Sequence, residues 1–231
     1  MVIAAQSWRN LGLLGLASIV WFVVTLIAIR NLFHLTLYDF QSDISLDYPP
    51  TQDLPLWWML TLLLYAPSTL LPPVWTILVI ETVIPPGLLL GKIVLRTLAT
   101  ISLFVGIIGV MLFFIIFSQP FESSVDLFLL HLRAMTHSIY HTLLQVILIL
   151  MALWGWQYRF LPRSLALSNG IAAVGAFSFL TVSLAYPLTE RATLQVVGVV
   201  LEGVAMILFS AYFLLYWQSE LAKEESDTTL I

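Results

Sequence analysis

Six apolar runs, each long enough to cross a bilayer, leave this chain few ways to fold. They cover residues 11–33, 57–83, 93–117, 138–156, 165–186 and 194–217. A crossing helix needs about 20 mostly apolar residues. Backbone groups find no water in hydrocarbon, so a spanning segment must be a helix or part of a closed barrel. The runs lack the two-residue alternation of barrel strands, which predicts an all-α, polytopic transmembrane bundle. Composition points the same way. Of the 231 residues, 60% are hydrophobic and only 10% charged, whereas a soluble domain carries about 25% charged residues. A fold of this size still exposes much of its area, and lipid is the solvent that tolerates such a surface.

Several classes are excluded at this level. The net charge of −4 offers no basic surface for nucleic acid. The absence of cysteine removes thiol catalysis, disulfides and cysteine-ligated metal centres. The first run, preceded by Arg9, holds 23 residues and one charge, Arg30. A signal peptide has an apolar region of about 7–15 residues, so an uncleaved first span is expected.

The second run is the least regular. It contains Pro67, Pro72 and Pro73, and proline removes a backbone donor and kinks or breaks helices. One kinked span gives six crossings; a split at Pro72-Pro73 gives seven. Charge placement favours six. With a cytoplasmic N-terminus, Arg9, Lys92, Arg96, Arg159, Arg163 and Lys223 lie inside, against Arg30, Arg133 and Arg191 outside. That bias follows the positive-inside rule. It predicts a multi-pass cell-membrane protein with both termini cytoplasmic, a single domain over residues 1–217, and a short polar tail over 218–231. Small residues predict close helix contacts: Gly12 and Gly15 on the first span, Gly106 and Gly109 on the third, and Ser168, Ala172 and Ala176 on the fifth.

In this topology the outer half collects the unusual polar residues. The segment SSVDLFLLHLRAMTHSIYHTLLQ reads as one helix running from the interface into the membrane. At about 100° per residue, Asp126, Arg133, His137 and His141 share one stripe, with His131 pointing elsewhere. Glu202 lies near the middle of the sixth span, where a charge costs about 2.5–3.5 kcal/mol on insertion scales. It must pair, face the bundle or be protonated. Arg30, His34, His137, His141 and Glu202, with Gln145 deeper, are therefore expected to line an outward-facing polar pocket. Glu81 lies near Lys92 and Arg96 and is expected to pair with them.

His137 and His141, four residues apart, share a helix face and are candidate metal ligands, with zinc as the ion. The metalloprotease form H-E-x-x-H fails, because Ser138 follows His137. A third ligand is needed, and His34, His131 or Glu202 qualifies. Haem, phosphate-loop and G-x-S-x-G signatures are absent, and no cofactor is predicted.

The sequence WGWQYRFLPRSLALSNGIAAVGAFSFL, with Leu161, Pro162, Arg163 and Leu165, resembles an uncharacterised bacterial family of integral membrane proteins, a domain of unknown function. Its members have an I/L-P-R-x-L inner turn, and a later span carries a lone Glu, matched by Glu202. The resemblance implies a multi-span helical protein and no activity. The leading expectation is a non-enzymatic membrane protein that binds a small apolar ligand or a partner membrane subunit. The alternatives are a metal-dependent hydrolase using His137 and His141, and a proton-coupled transporter using Glu202.

Overall fold

The structure, a computed structural model, describes the backbone of residues 5–33, 55–117, 124–186 and 188–228. Six long helices account for almost all of it: α1 (Ala5–Phe33), α2 (Pro55–Val83), α3 (Leu89–Phe117), α4 (Ser124–Tyr158), α5 (Arg163–Ser183) and α6 (Leu188–Thr228). Each contains a stretch long and apolar enough to span a bilayer. The protein is therefore a multi-pass helical membrane protein, with six helices long and apolar enough to cross among the described residues.

Consecutive helices pack side by side, and α6 returns to α1, so the six close into a ring. Helix α4 is the most enclosed, with 56% of its spanning window buried against 39% or less for the others. Its partners are α3 and α5. Helix α3 shows the opposite character: Phe104, Ile108, Met111 and Phe114 are all exposed, as a lipid-facing surface requires.

The three prolines do not split α2, which runs without interruption through Pro67, Pro72 and Pro73. This disposes of the seven-span alternative. Proline at position 73 leaves the carbonyl of Thr69 without its helical donor. Tyr140 Oη, from α4, donates to that carbonyl at 2.5 Å. A neighbouring helix thus supplies the missing bond, the usual condition for proline inside a membrane helix.

Two other helices extend beyond their apolar runs. The segment from Ser124 to Tyr158 is one helix, as its periodicity suggested. The polar tail after Trp217 continues α6 as helix to Thr228. Its Glu, Leu, Ala and Lys residues are strong helix formers, and helical hydrogen bonding has no reason to stop where the apolar residues do. The turn between α4 and α5 is tight. Arg159 adopts a positive φ of 57°, Leu161 N–H donates to Gly155 O at 3.5 Å, and Pro162 caps α5. A Cβ at Gly155 would sit 2.6 Å from Leu161 Cδ1, so glycine is what lets the chain fold back on itself.

The end of the bundle that holds the first turns of α1 is closely packed. Trp8 lies against Phe213 and Tyr216 at 5.4 and 4.8 Å between ring centres. Trp75 Nε1 donates to Leu11 O at 2.9 Å. A Cβ at Gly12 would lie 2.6 Å from Leu214 Cγ, and one at Gly15 would fall on Ser210 Oγ. Gly106 likewise admits Tyr140 at 3.1 Å, whereas a Cβ at Gly109 would make only ordinary contact with Thr136. Ala172 and Ala176 are buried as expected, while Ser168 turns its hydroxyl back to Ser164 O at 2.9 Å. Glu81 meets Lys92 at 2.8 Å and Arg96 at 3.4 Å, the ion pair expected from sequence.

Candidate functional site

Helix α4 carries the adjacent His137 and Ser138, then His141 and Gln145 at steps of three or four residues. Helix α6 answers with Gln195 and, seven residues on, Glu202. That spacing is two helical turns, so both project from the same face. The two helices make few backbone contacts with each other, yet side chains join them in two rungs. Gln195 Nε2 donates to Ser138 Oγ at 2.6 Å. One level further along, Glu202 Oε2 lies 2.7 Å from His141 Nδ1 and 2.7 Å from Gln145 Nε2.

The carboxylate is 4% exposed and His141 6%. Desolvating an ion costs several kcal/mol, which is recovered only with good geometry and further hydrogen bonds. Here His141 Nδ1 and the donating Gln145 amide converge on the same oxygen. Hydrogen bonds to an ionised carboxylate are short and strong. Among the described residues, Glu202 Oε1 has no hydrogen-bond partner.

Aromatic rings hold the imidazole. His137 and Tyr140 both meet His141 edge to face, at 4.3 and 4.7 Å between ring centres. Tyr140 is itself fixed through its bond to Thr69 O. Pro73 on α2 thus anchors a residue that positions the imidazole on α4. His137 Nε2 is buried and has no hydrogen-bond partner.

Beside this group lies a cavity of about 260 Å³. Its walls come from α1, α2, α4 and α6 and are mostly apolar, including Phe22, Val196, Val199 and Met206. His137, His141 and Glu202 form its polar pole, with Ser18, Thr25, Ser68 and Thr69 around it. A small polar constellation on an apolar concavity is the usual composition of a ligand pocket, though this cavity falls just below the common range of about 300–1,000 Å³.

The sequence candidates fare as follows. His137, His141 and Glu202 share the cavity, and Gln145 joins them through Glu202. Arg30 lies in α1, but its side chain is outside the described residues, as is all of His34. Arg133 is buried with its guanidinium 4.8 Å from the centre of the Phe113 ring, and it lines a small crevice together with His137 and Tyr140. His131 is half-buried. Among the described residues, no three His, Asp or Glu side chains converge as a metal-ligand set. A zinc site built on His137 and His141 needs a third ligand, for which the sequence offers His34, His131 or Glu202.

Sequence reading missed Tyr140, the Ser138–Gln195 rung and Asn169. Asn169 is fully buried in α5 and neither amide atom has a partner. The available signal was an amide in an otherwise apolar run, weaker than the mid-span charge that singled out Glu202. No family model, curated protein or solved structure matches this chain.

Proposed function

We propose that this protein is a non-enzymatic membrane receptor or carrier that binds a small, largely apolar ligand in the cavity beside Glu202. One observation carries the reading: a buried carboxylate, oriented by His141 and Gln145, stands at the polar pole of an otherwise apolar cavity. A carboxylate kept only for structure needs no space beside it. The positive-inside bias supports a cytoplasmic location for both termini of a cell-membrane protein, which turns the cavity half outward.

Native mass spectrometry of protein released from mild detergent tests the reading. The wild type should retain a small-molecule adduct, and Gly203→Leu should lose it. Gly203 lines the cavity, and a Cβ there meets nothing within 4 Å, so the new side chain occupies ligand space without disturbing helix packing. An adduct that persists in folded Gly203→Leu overturns the reading.

The buried His141–Glu202 couple also favours a second reading, a proton-coupled transporter with Glu202 as the carrier. That reading requires uptake into proteoliposomes to follow an imposed proton gradient and to lose that dependence in Glu202→Gln.

A further inference from the structure

The wall of the cavity is not equally tight all round. On the α1/α2 side it is stitched shut: Trp21 Nε1 and Thr25 Oγ1 both donate to Leu64 O, at 2.9 and 3.0 Å. On the α1/α6 side the glycine contacts lie at the other end of the helices, at Gly12 and Gly15. Towards the cavity, α1 carries Val23 and α6 carries Val200. Both line the cavity, yet they are 46% and 57% exposed. A residue that belongs at once to the cavity and to the lipid-facing surface marks an opening. This opening faces the bilayer.

We infer that the ligand is a single-chain amphiphile drawn from the bilayer, admitted sideways between α1 and α6, whose head group donates a hydrogen bond to Glu202. The inference rests on the cavity-binding reading above and adds the chemical class and the route.

Size sets the shape of the occupant. A volume of about 260 Å³ lies just below the range of about 300–1,000 Å³ that holds drug-sized ligands. A head group and the first part of a chain suit that space, and a longer tail extends past Val23 and Val200. A single chain suits it better than two. Head-group chemistry follows from Glu202. His141 and Gln145 both engage Oε2, and Oε1 is left for a donor. An anionic or purely accepting head meets a carboxylate already oriented against it. His137 Nε2, buried and unpartnered, offers a second polar contact beside the same position. Hydroxyl and ammonium heads share the required donor chemistry.

The test uses the full chain in phosphatidylcholine nanodiscs with three diazirine-tagged probes: a long-chain alcohol, the matching amine and the matching carboxylic acid. Crosslinks are mapped by peptide mass spectrometry. Alcohol or amine adducts should concentrate on α1 and α6 around Val23 and Val200, and should fall about tenfold in Gly203→Leu. That is the effect expected from losing a single specific contact. The acid should label only the general lipid face, such as Phe104 on α3. Glu202→Gln separates the two donor heads, weakening the amine about tenfold, as loss of a charge-assisted bond does, while the alcohol is retained. Equal labelling by all three probes, or labelling indifferent to Gly203→Leu, overturns the inference. If the probes fail while native mass spectrometry still finds an adduct that Gly203→Leu removes, the cavity reading stands and the bilayer-derived amphiphile falls. If neither probe nor adduct is seen, both fall.

Discussion

The two halves of this ring of helices solve the same packing problem in opposite ways. In the half near the start of α1, glycines bring α1 onto α6, and Trp8, Trp75, Phe209 and Phe213 fill the space between. In the other half the same helices leave a cavity and face it with a carboxylate, two imidazoles and hydroxyls. Without a hydrophobic force between helices in lipid, association depends on close packing and interhelical hydrogen bonds. The first half supplies the packing, and that rigidity is what allows the second half to stay open. An open, polar region in a membrane bundle is a cost that stability alone does not select.

The sharpest way to break the contrast is to remove one member of the polar network. His141→Ala leaves Glu202 buried without its imidazole, and loss of one partner from a buried pair costs about 3–5 kcal/mol. Replacing His141 and Glu202 together by Leu and Met should recover most of that loss, because a buried pair exchanged for apolar residues is often near neutral. Thermal unfolding followed by fluorescence-detected size exclusion measures both. If the double variant is as unstable as the single one, the pair is holding the fold together rather than serving the cavity.

A smaller effect is expected in the packed half. A Cβ at Gly15 collides with Ser210 Oγ and approaches Trp75 Nε1 to 2.8 Å. Gly15→Ala should destabilise by about 1–3 kcal/mol, the range for overpacking a well-filled core. The same scan reads it out. Full retention of stability would mean that α1 and α6 are not locked there. The portal argument would then lose its hinge.

Much of this contrast was legible in the sequence, for a physical reason. Glu202 announced itself because a charge in mid-span has no cheap solution, and His137 and His141 because helical spacing puts them on one face. Gln145 followed from the same stripe. Gln195 and Asn169 were passed over because neutral amides cost less to bury and draw less notice. Tyr140 was invisible because its role depends on Pro73, 67 residues earlier, exposing a carbonyl that only the fold brings near. The extent of α6 beyond Trp217 was not legible because hydropathy marks where lipid ends, and helices obey backbone hydrogen bonding instead.

Tyr140→Phe measures that hidden link. The variant keeps the ring against His141 and removes only the hydroxyl bond to Thr69 O. A typical intramolecular hydrogen bond contributes about 0.5–1.5 kcal/mol, and the Thr69 carbonyl, already short of its helical donor, loses its replacement. Stability should fall by about 1 kcal/mol. The comparison that gives this meaning is Pro73→Ala, which restores a helical N–H to the same carbonyl. Tyr140→Phe should cost less in that background than in the wild type. Identical losses in both would show that the tyrosine hydroxyl is not compensating for the proline.

The smallest stability change belongs to Gly203→Leu, and its smallness is the point. At Gly15 an added methyl group meets side chains at once; at Gly203 it meets nothing within 4 Å. The two positions carry the same residue type on facing helices of the ring, so chemistry is held constant while the available space differs. Leucine is also a better helix former than glycine by several tenths of a kcal/mol, which should leave Gly203→Leu as stable as the wild type or slightly more so. A variant that gains or keeps stability while losing whatever occupies the cavity would separate folding from binding at one residue. A loss of stability comparable to that of Gly15→Ala would instead mean that the space beside Glu202 closes in the membrane, and that the two halves of the bundle are packed alike.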